Sequence, residues 1–161
     1  MDLFPWFLFL HVLGAIAAFG PSFSMSIIGQ MGGAEPQHAN FATRVSLAIS
    51  NQRILPLAVV QGITGVGLII LGKVDLTRNA WLGIAIVLYL IALGYAYFVQ
   101  TPTVKQVIEM TSAPPPPPTP GAPAGPPPAL RALILRAQRG GMLLAGLIAV
   151  IAFLMVVKPG V

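Results

Sequence analysis

The chain has 161 residues, 56% of them hydrophobic and only 8% charged, with nine Lys and Arg against four Asp and Glu for a net charge of +5. A mean hydropathy of +0.84 lies far from that of a soluble domain, and one membrane domain uses nearly the whole length, which leaves no room for a separate soluble catalytic domain. The absence of cysteine excludes disulfides, thiolate metal sites and cysteine nucleophiles. The basic residues are scattered through the gaps between apolar runs rather than gathered on one face, so they read as topology signals and not as a nucleic-acid surface.

Four apolar runs cover residues 3–29, 54–72, 81–99 and 141–157. Each reaches or nearly reaches the roughly 20 residues that a helix needs to cross a hydrocarbon core of about 30 Å. The expected fold is all-α, a polytopic antiparallel bundle of four transmembrane helices forming one domain over residues 1–161. The first run lacks a basic flank and is too long for a signal-peptide core, so it is expected to remain as a helix.

Helix one carries Gly20 and Pro21. The proline removes one amide and the bond to the carbonyl of Ala17, which predicts a kink or tilt, with Ser22, Ser24 and Ser26 available to satisfy freed carbonyls. Earlier in the same helix, His11 shares a face with Gly14, Ala15 and Ala18 at +3, +4 and +7, so it should point into the bundle. Residues 31–53 form the first loop, in which Phe41, Val45, Ala48 and Ile49 mark a short amphipathic helix suited to the membrane surface.

Helix two holds a stripe of small residues, Ala58, Gly62 and Gly65, with Gln61 near the midplane. Such stripes let backbones approach closely where no hydrophobic effect drives association. Asp75 and Arg78 form a solvated turn before helix three. There Tyr89 sits on a face with Ala85, Ala92 and Ala96, at about the depth of His11, and the two are expected to meet through a hydrogen bond, with Gln61 a third member of the network.

Residues 113–129 contain ten of the sixteen prolines and read as an extended polyproline II spacer. On either side, Val104, Val107 and Ile108, then Leu130, Leu133 and Ile134, recur at helical spacing and mark extensions of helices three and four. Helix four repeats small residues at Gly141, Ala145 and Ala149, a further packing stripe. Six basic residues (Arg44, Arg53, Lys105, Arg131, Arg136, Arg139) fall in loops one and three, against Lys73, Arg78 and Lys158 on the other side. The positive-inside rule then makes loops one and three cytoplasmic and both termini external.

An ionisable group inside a span is a functional hypothesis by default, which singles out His11. A haem held by two histidines of one chain needs a second histidine in the bundle, and the other one, His38, falls in the first loop. The plainer expectation is that a neutral His11 bonds Tyr89, Gln61 or a backbone carbonyl and locks helix packing; beside it, a haem or other tetrapyrrole with one axial ligand, a ligand shared with a second subunit, and proton transfer all stay open. The acidic residues Asp2, Glu35, Asp75 and Glu109 lie outside the spans and form no acid–base pair. Met25, Met31, Met142 and Met155 are too dispersed for a copper cluster.

The segment Leu10-His11-Val12-Leu13-Gly14-Ala15, with Thr64-Gly65, Trp81-Leu82, Leu88-Tyr89 and the closing Leu154-Met155-Val156-Val157-Lys158-Pro159, resembles a bacterial family of predicted four-helix integral membrane proteins of unknown function, the domain-of-unknown-function 2269 type. That family is distantly similar to the copper-resistance D membrane domain and to the four-helix protoporphyrinogen oxidase, in which an early-helix histidine is linked to haem. The resemblance implies a multi-pass protein of a bacterial inner membrane and directs the haem reading to His11. The oxidase pattern also expects a second polar or basic partner in the bundle, which has no counterpart here. The expected function is a non-enzymatic accessory or structural membrane subunit, or a homo-oligomer, partnered by lipid and other membrane helices. The alternative is a haem- or pigment-binding redox protein using His11 with Tyr89 nearby, and a small transporter comes third.

Overall fold

A computed structural model of the chain describes residues 2–112 and 125–160, and the proline-rich stretch 113–124 lies outside them. Four helices make up almost all of the described residues: α1 (Phe4–Ala34), α2 (Pro36–Leu71), α3 (Ala80–Ser112) and α4 (Pro128–Val157), each long and apolar enough to cross a membrane. At about 1.5 Å per residue they run roughly 45–54 Å, well beyond the hydrocarbon thickness. The apolar runs therefore mark only the parts that need lipid, and the charged ends of each run stay helical.

The first loop is the clearest difference from the sequence reading. Residues 31–53 do not form a loop with a separate helix lying on the bilayer. α1 continues to Ala34, Glu35 makes the turn, Pro36–His38 form one 3-10 turn, and Ala39–Ile49 is the first part of α2. Its apolar face packs on the end of α1, where Ala42 lies against Gly32, and on Thr101–Ser112 of α3. Asn40 fixes the second contact by donating its amide to the carbonyl of Ile108 at 3.1 Å and to the Thr111 hydroxyl at 2.8 Å.

Two prolines explain how α2 and α3 pass through without breaking. Pro56 and Pro102 cannot donate to the carbonyl four residues back. Each follows a π-helical turn by the same offset, Ser50–Ile54 before Pro56 and Ala96–Gln100 before Pro102. The amide of Leu55 reaches back to Ser50 and that of Thr101 to Ala96, so the wider turn takes up the mismatch that proline creates. Pro21 is likewise held inside α1. Of the three serines that follow it, Ser26 bonds the carbonyl of Phe23, and none of the side-chain bonds among the described residues goes to Ala17.

Neighbours in sequence are neighbours in space. α1 and α2 meet along their length, with Phe4 against Gly72, Phe7 over Gly67, His11 against Gly65 and Gln61 against Gly14, so the partner numbers fall on one helix as they rise on the other and the chain runs back along itself. α2 touches α3 at Ala58–Tyr89 and Asn40–Thr111. α3 touches α4 at Gln100–Ala137 and again where the Lys158 ammonium lies 5.8 Å from the centre of the Trp81 ring. Among the described residues α1 and α4 form no pairing of comparable extent.

Burial is inverted relative to a soluble protein. The buried apolar set is small (Ala18, Leu82, Ala85, Val107, Leu130, Leu154), whereas Trp6, Phe9, Ile16, Phe23, Ile63, Ile70, Phe98 and Val156 point outward. So much apolar surface on a single chain is what a lipid bilayer covers. The turn between α2 and α3 is polar as expected: the Asp75 carboxylate accepts from the Thr77 amide at 2.9 Å and its hydroxyl at 2.6 Å and pairs with Arg78 at 3.4 Å.

Candidate functional site

The polar groups inside the spans converge on one face of α2. Gln61 and Thr64 are three residues apart and therefore side by side on a helix; both are buried, Gln61 to 7% exposure. His11 comes to them from α1. Its Nδ1 lies 2.9 Å from the Thr64 hydroxyl, and Gln61 donates its amide to the His11 backbone carbonyl at 2.8 Å.

The proton positions follow from what surrounds the Thr64 hydroxyl. Its oxygen also lies 3.0 Å from the carbonyl of Val60 and 3.1 Å from that of Gln61, and a carbonyl only accepts. If Thr64 donates to the backbone and accepts from His11, all three contacts are hydrogen bonds. The reverse assignment turns hydroxyl lone pairs toward two carbonyl oxygens. The favoured state is thus a neutral imidazole with its proton on Nδ1, which leaves a lone pair on Nε2. Among the described residues Nε2 has no partner, and it is not sealed from the surface, since the one fully buried polar side-chain atom without a partner is Gln61 Oε1.

Small residues make this geometry reachable. A Cβ added to Gly65 would lie 3.3 Å from His11 Cε1, and one added to Gly14 would lie 2.7 Å from Gln61 Oε1. Glycine at these positions is a matter of space between helices and not of backbone freedom.

Tyr89 goes elsewhere. Its hydroxyl donates to the carbonyl of Ala58 at 2.8 Å and lies over Gly62, so His11 and Tyr89 both pack on α2 but are not hydrogen-bonded to each other. Ala58 and Thr64 are six residues apart, about 9 Å along the helix. Ala58, Gly62 and Gly65 thus lie at the α1–α2–α3 contacts, as does Gly14; Ala18 is buried and Ala15 half-buried. The α4 stripe lies differently. Gly141, Ala145 and Ala149 are exposed, and α4 turns Gly140 toward α3, beneath Gln100 and Tyr95.

Thr64 is the residue that sequence reasoning did not connect to His11. The signal was its place one turn from Gln61 on the same face, at the depth His11 reaches when α1 and α2 run in opposite directions. His38 sits beyond the far end of α1, exposed and 3.8 Å from Glu35, about 35 Å from His11 by helical rise. One chain therefore cannot bring both histidines to one metal, and no group of three or more His, Cys, Asp or Glu that could hold an ion occurs among the described residues.

A family model described as predicted integral membrane protein (DUF2269) matches residues 6–159. The chain belongs to this family. The match takes in the His11–Thr64–Gln61 cluster and all four spans of the DUF2269 protein except the first two residues of α1. No curated protein and no solved structure matches it.

Proposed function

We propose that this DUF2269 protein binds a haem or related tetrapyrrole in the membrane through His11 as its one protein ligand per chain. The observation that carries this reading is the division of the imidazole: Nδ1 is committed to Thr64, while Nε2 has no partner among the described residues and is not fully buried. A histidine kept only for packing gains nothing from an open lone pair inside a span, where unpaired polar groups are costly. An axial ligand requires it, together with an outer hydrogen bond that fixes tautomer and ring orientation. The family that residues 10–15 resemble is in turn distantly similar to a four-helix oxidase whose early-helix histidine is linked to haem, which is in line with this reading.

When bound, such a group supplies one-electron redox chemistry or light absorption. The residues of the chain hold the imidazole at Nδ1 through Thr64 and tie α1 to α2 through Gln61. His11 would be the residue of each chain that holds the group, and a second ligand, where one is used, would come from another copy. Tyr89, bonded to Ala58 about 9 Å along α2 from Thr64, supports the helix rather than the ligand.

A second reading, a non-enzymatic accessory subunit or homo-oligomer, is favoured by the exposed stripe Gly141, Ala145 and Ala149, the kind of surface that takes a second helix. For both readings the location is a bacterial inner membrane, with the Glu35 turn and the proline-rich loop cytoplasmic, supported by the six basic residues on that side against three on the other.

The test is the absorption spectrum of the protein purified gently in detergent after expression with added haem precursor, before and after dithionite. A stoichiometric Soret band that is lost in His11→Ala is expected. A folded, colourless wild-type protein would overturn the tetrapyrrole reading and send the search to a partner subunit.

A further inference from the structure

A second site lies at the other end of the spans, between α3 and α4. A groove of about 420 Å³ is lined by Tyr95, Leu135, Arg136, Arg139, Gly140 and Leu143. Arg136 and Arg139 are one helical turn apart, both exposed, and neither makes a hydrogen bond or ion pair among the described residues, where the ion pairs are His38–Glu35 and Arg78–Asp75. Residues 113–124 contain no acid, so the proline-rich stretch brings no carboxylate to them. The Tyr95 hydroxyl faces Gly140 and has no partner among the described residues.

The walls differ in character along the helix axis. Arg136 and Arg139 precede the apolar run that starts at Gly141, whereas Leu143 and Tyr95 lie inside the apolar runs of α4 and α3. The groove thus crosses the boundary between headgroups and hydrocarbon. An occupant that satisfies both ends has an anionic oxygen cluster for two guanidinium forks and a hydroxyl, and an apolar tail that follows Leu143 into the core. Guanidinium is suited to phosphate through paired N–H donors, and basic pockets between membrane helices are where lipid headgroups dock. A soluble phosphate fills only the upper half.

We propose that this groove binds the phosphate headgroup of an anionic phospholipid, with Arg136 and Arg139 as the principal donors and Tyr95 as a third. Arg44, Arg53, Lys105 and Arg131, at the same end, raise the general attraction to an anionic surface without lining the groove. The assignment is independent of His11.

Native mass spectrometry of the full-length protein in neutral detergent, titrated with phosphatidylglycerol or phosphatidylcholine of matched chains, tests it. Retention of phosphatidylglycerol should exceed that of phosphatidylcholine by roughly 10-fold or more, given the attraction expected for two basic residues near an anionic headgroup. The double variant Arg136→Gln/Arg139→Gln should lose that preference, Tyr95→Phe should weaken it, and Arg44→Gln/Arg131→Gln, with the same loss of charge, should keep it. Inorganic phosphate at millimolar concentration should not compete. Equal loss in the two double variants would reduce the groove to diffuse charge, and displacement by inorganic phosphate would reassign it to a soluble anion; either result overturns the proposal. If Arg136→Gln/Arg139→Gln does not fold, the Tyr95→Phe variant and the phosphate competition decide it.

Discussion

Replacing Gly62 by alanine places a methyl group 2.5 Å from the Tyr89 hydroxyl and 3.1 Å from Cζ, so the ring must move and its bond to the Ala58 carbonyl is lost. Interhelical hydrogen bonds in membranes are worth about 0.6 kcal/mol on average and at most about 1.7. Overpacking in a tight interface adds about 1–3 kcal/mol, and the better helix propensity of alanine returns up to about 1 kcal/mol. A net loss of about 1–3 kcal/mol is expected for Gly62→Ala, and under about 1.7 kcal/mol for Tyr89→Phe, which removes only the hydroxyl. In the double variant the closest contact disappears with the hydroxyl, so Gly62→Ala should cost less in the Tyr89→Phe background, with a coupling of about 1 kcal/mol. Reversible unfolding in mixed micelles across the four proteins measures this cycle. Strict additivity, or a stabilising Gly62→Ala, would refute the close α2–α3 approach through Tyr89.

The face that α4 presents to α3 is tested by a neighbouring pair. Gly140→Ala drives a methyl into Gln100 and Tyr95 and should destabilise by about 1–3 kcal/mol, whereas Gly141→Ala meets open space and should be neutral or stabilising by up to about 1 kcal/mol; the same unfolding assay compares them. Thr64→Val keeps the shape of the side chain but removes the hydrogen bond to His11 Nδ1, and loss of such an outer-sphere partner should lower tetrapyrrole occupancy by roughly 10- to 100-fold, read from the Soret absorbance per protein. In the polar turn, the Thr77 hydroxyl bond, with the Thr77 amide second, holds the Asp75 carboxyl below its usual range. Because its folded value is depressed, this stabilisation is present above the ordinary carboxylate value and is lost as the pH falls through the depressed one. Thr77→Ala should move the Asp75 midpoint back up, as read by NMR titration.

Hydropathy made the four spans legible, because a bilayer imposes length and apolarity on any helix that crosses it. Hydropathy alone did not show where the helices end, although the helical spacing of Val104, Val107 and Ile108 and of Leu130, Leu133 and Ile134 marked the extensions that helices three and four have. Arg44, Arg53, Lys105 and Arg136 are in helices that leave the lipid, and charge stops the apolar run without stopping the helix. Pro56 and Pro102 remove helix hydrogen bonds, yet a π turn upstream of each lets the helix continue. Depth placed His11 and Tyr89 at one level, but depth does not fix the angle about a helix axis. They reach α2 at Thr64 and Ala58. On α4 the shift from Gly141 to Gly140 is one residue, a rotation of about 100°, and that is enough to move a stripe from the interface to the outer surface. The solvated Asp75–Arg78 turn was readable because its bonds are local.

Which nitrogen of His11 carries the proton decides whether the ring can serve as a ligand. Solid-state NMR of the protein in lipid, with 15N-labelled histidine and the His11→Gln variant for assignment, reads this without any bound group. A neutral ring protonated at Nδ1, with a bare Nε2, is the predicted result. A neutral ring protonated at Nε2, with Nδ1 accepting from Thr64, would close the lone pair on which the proposed ligand role depends and would contradict the account.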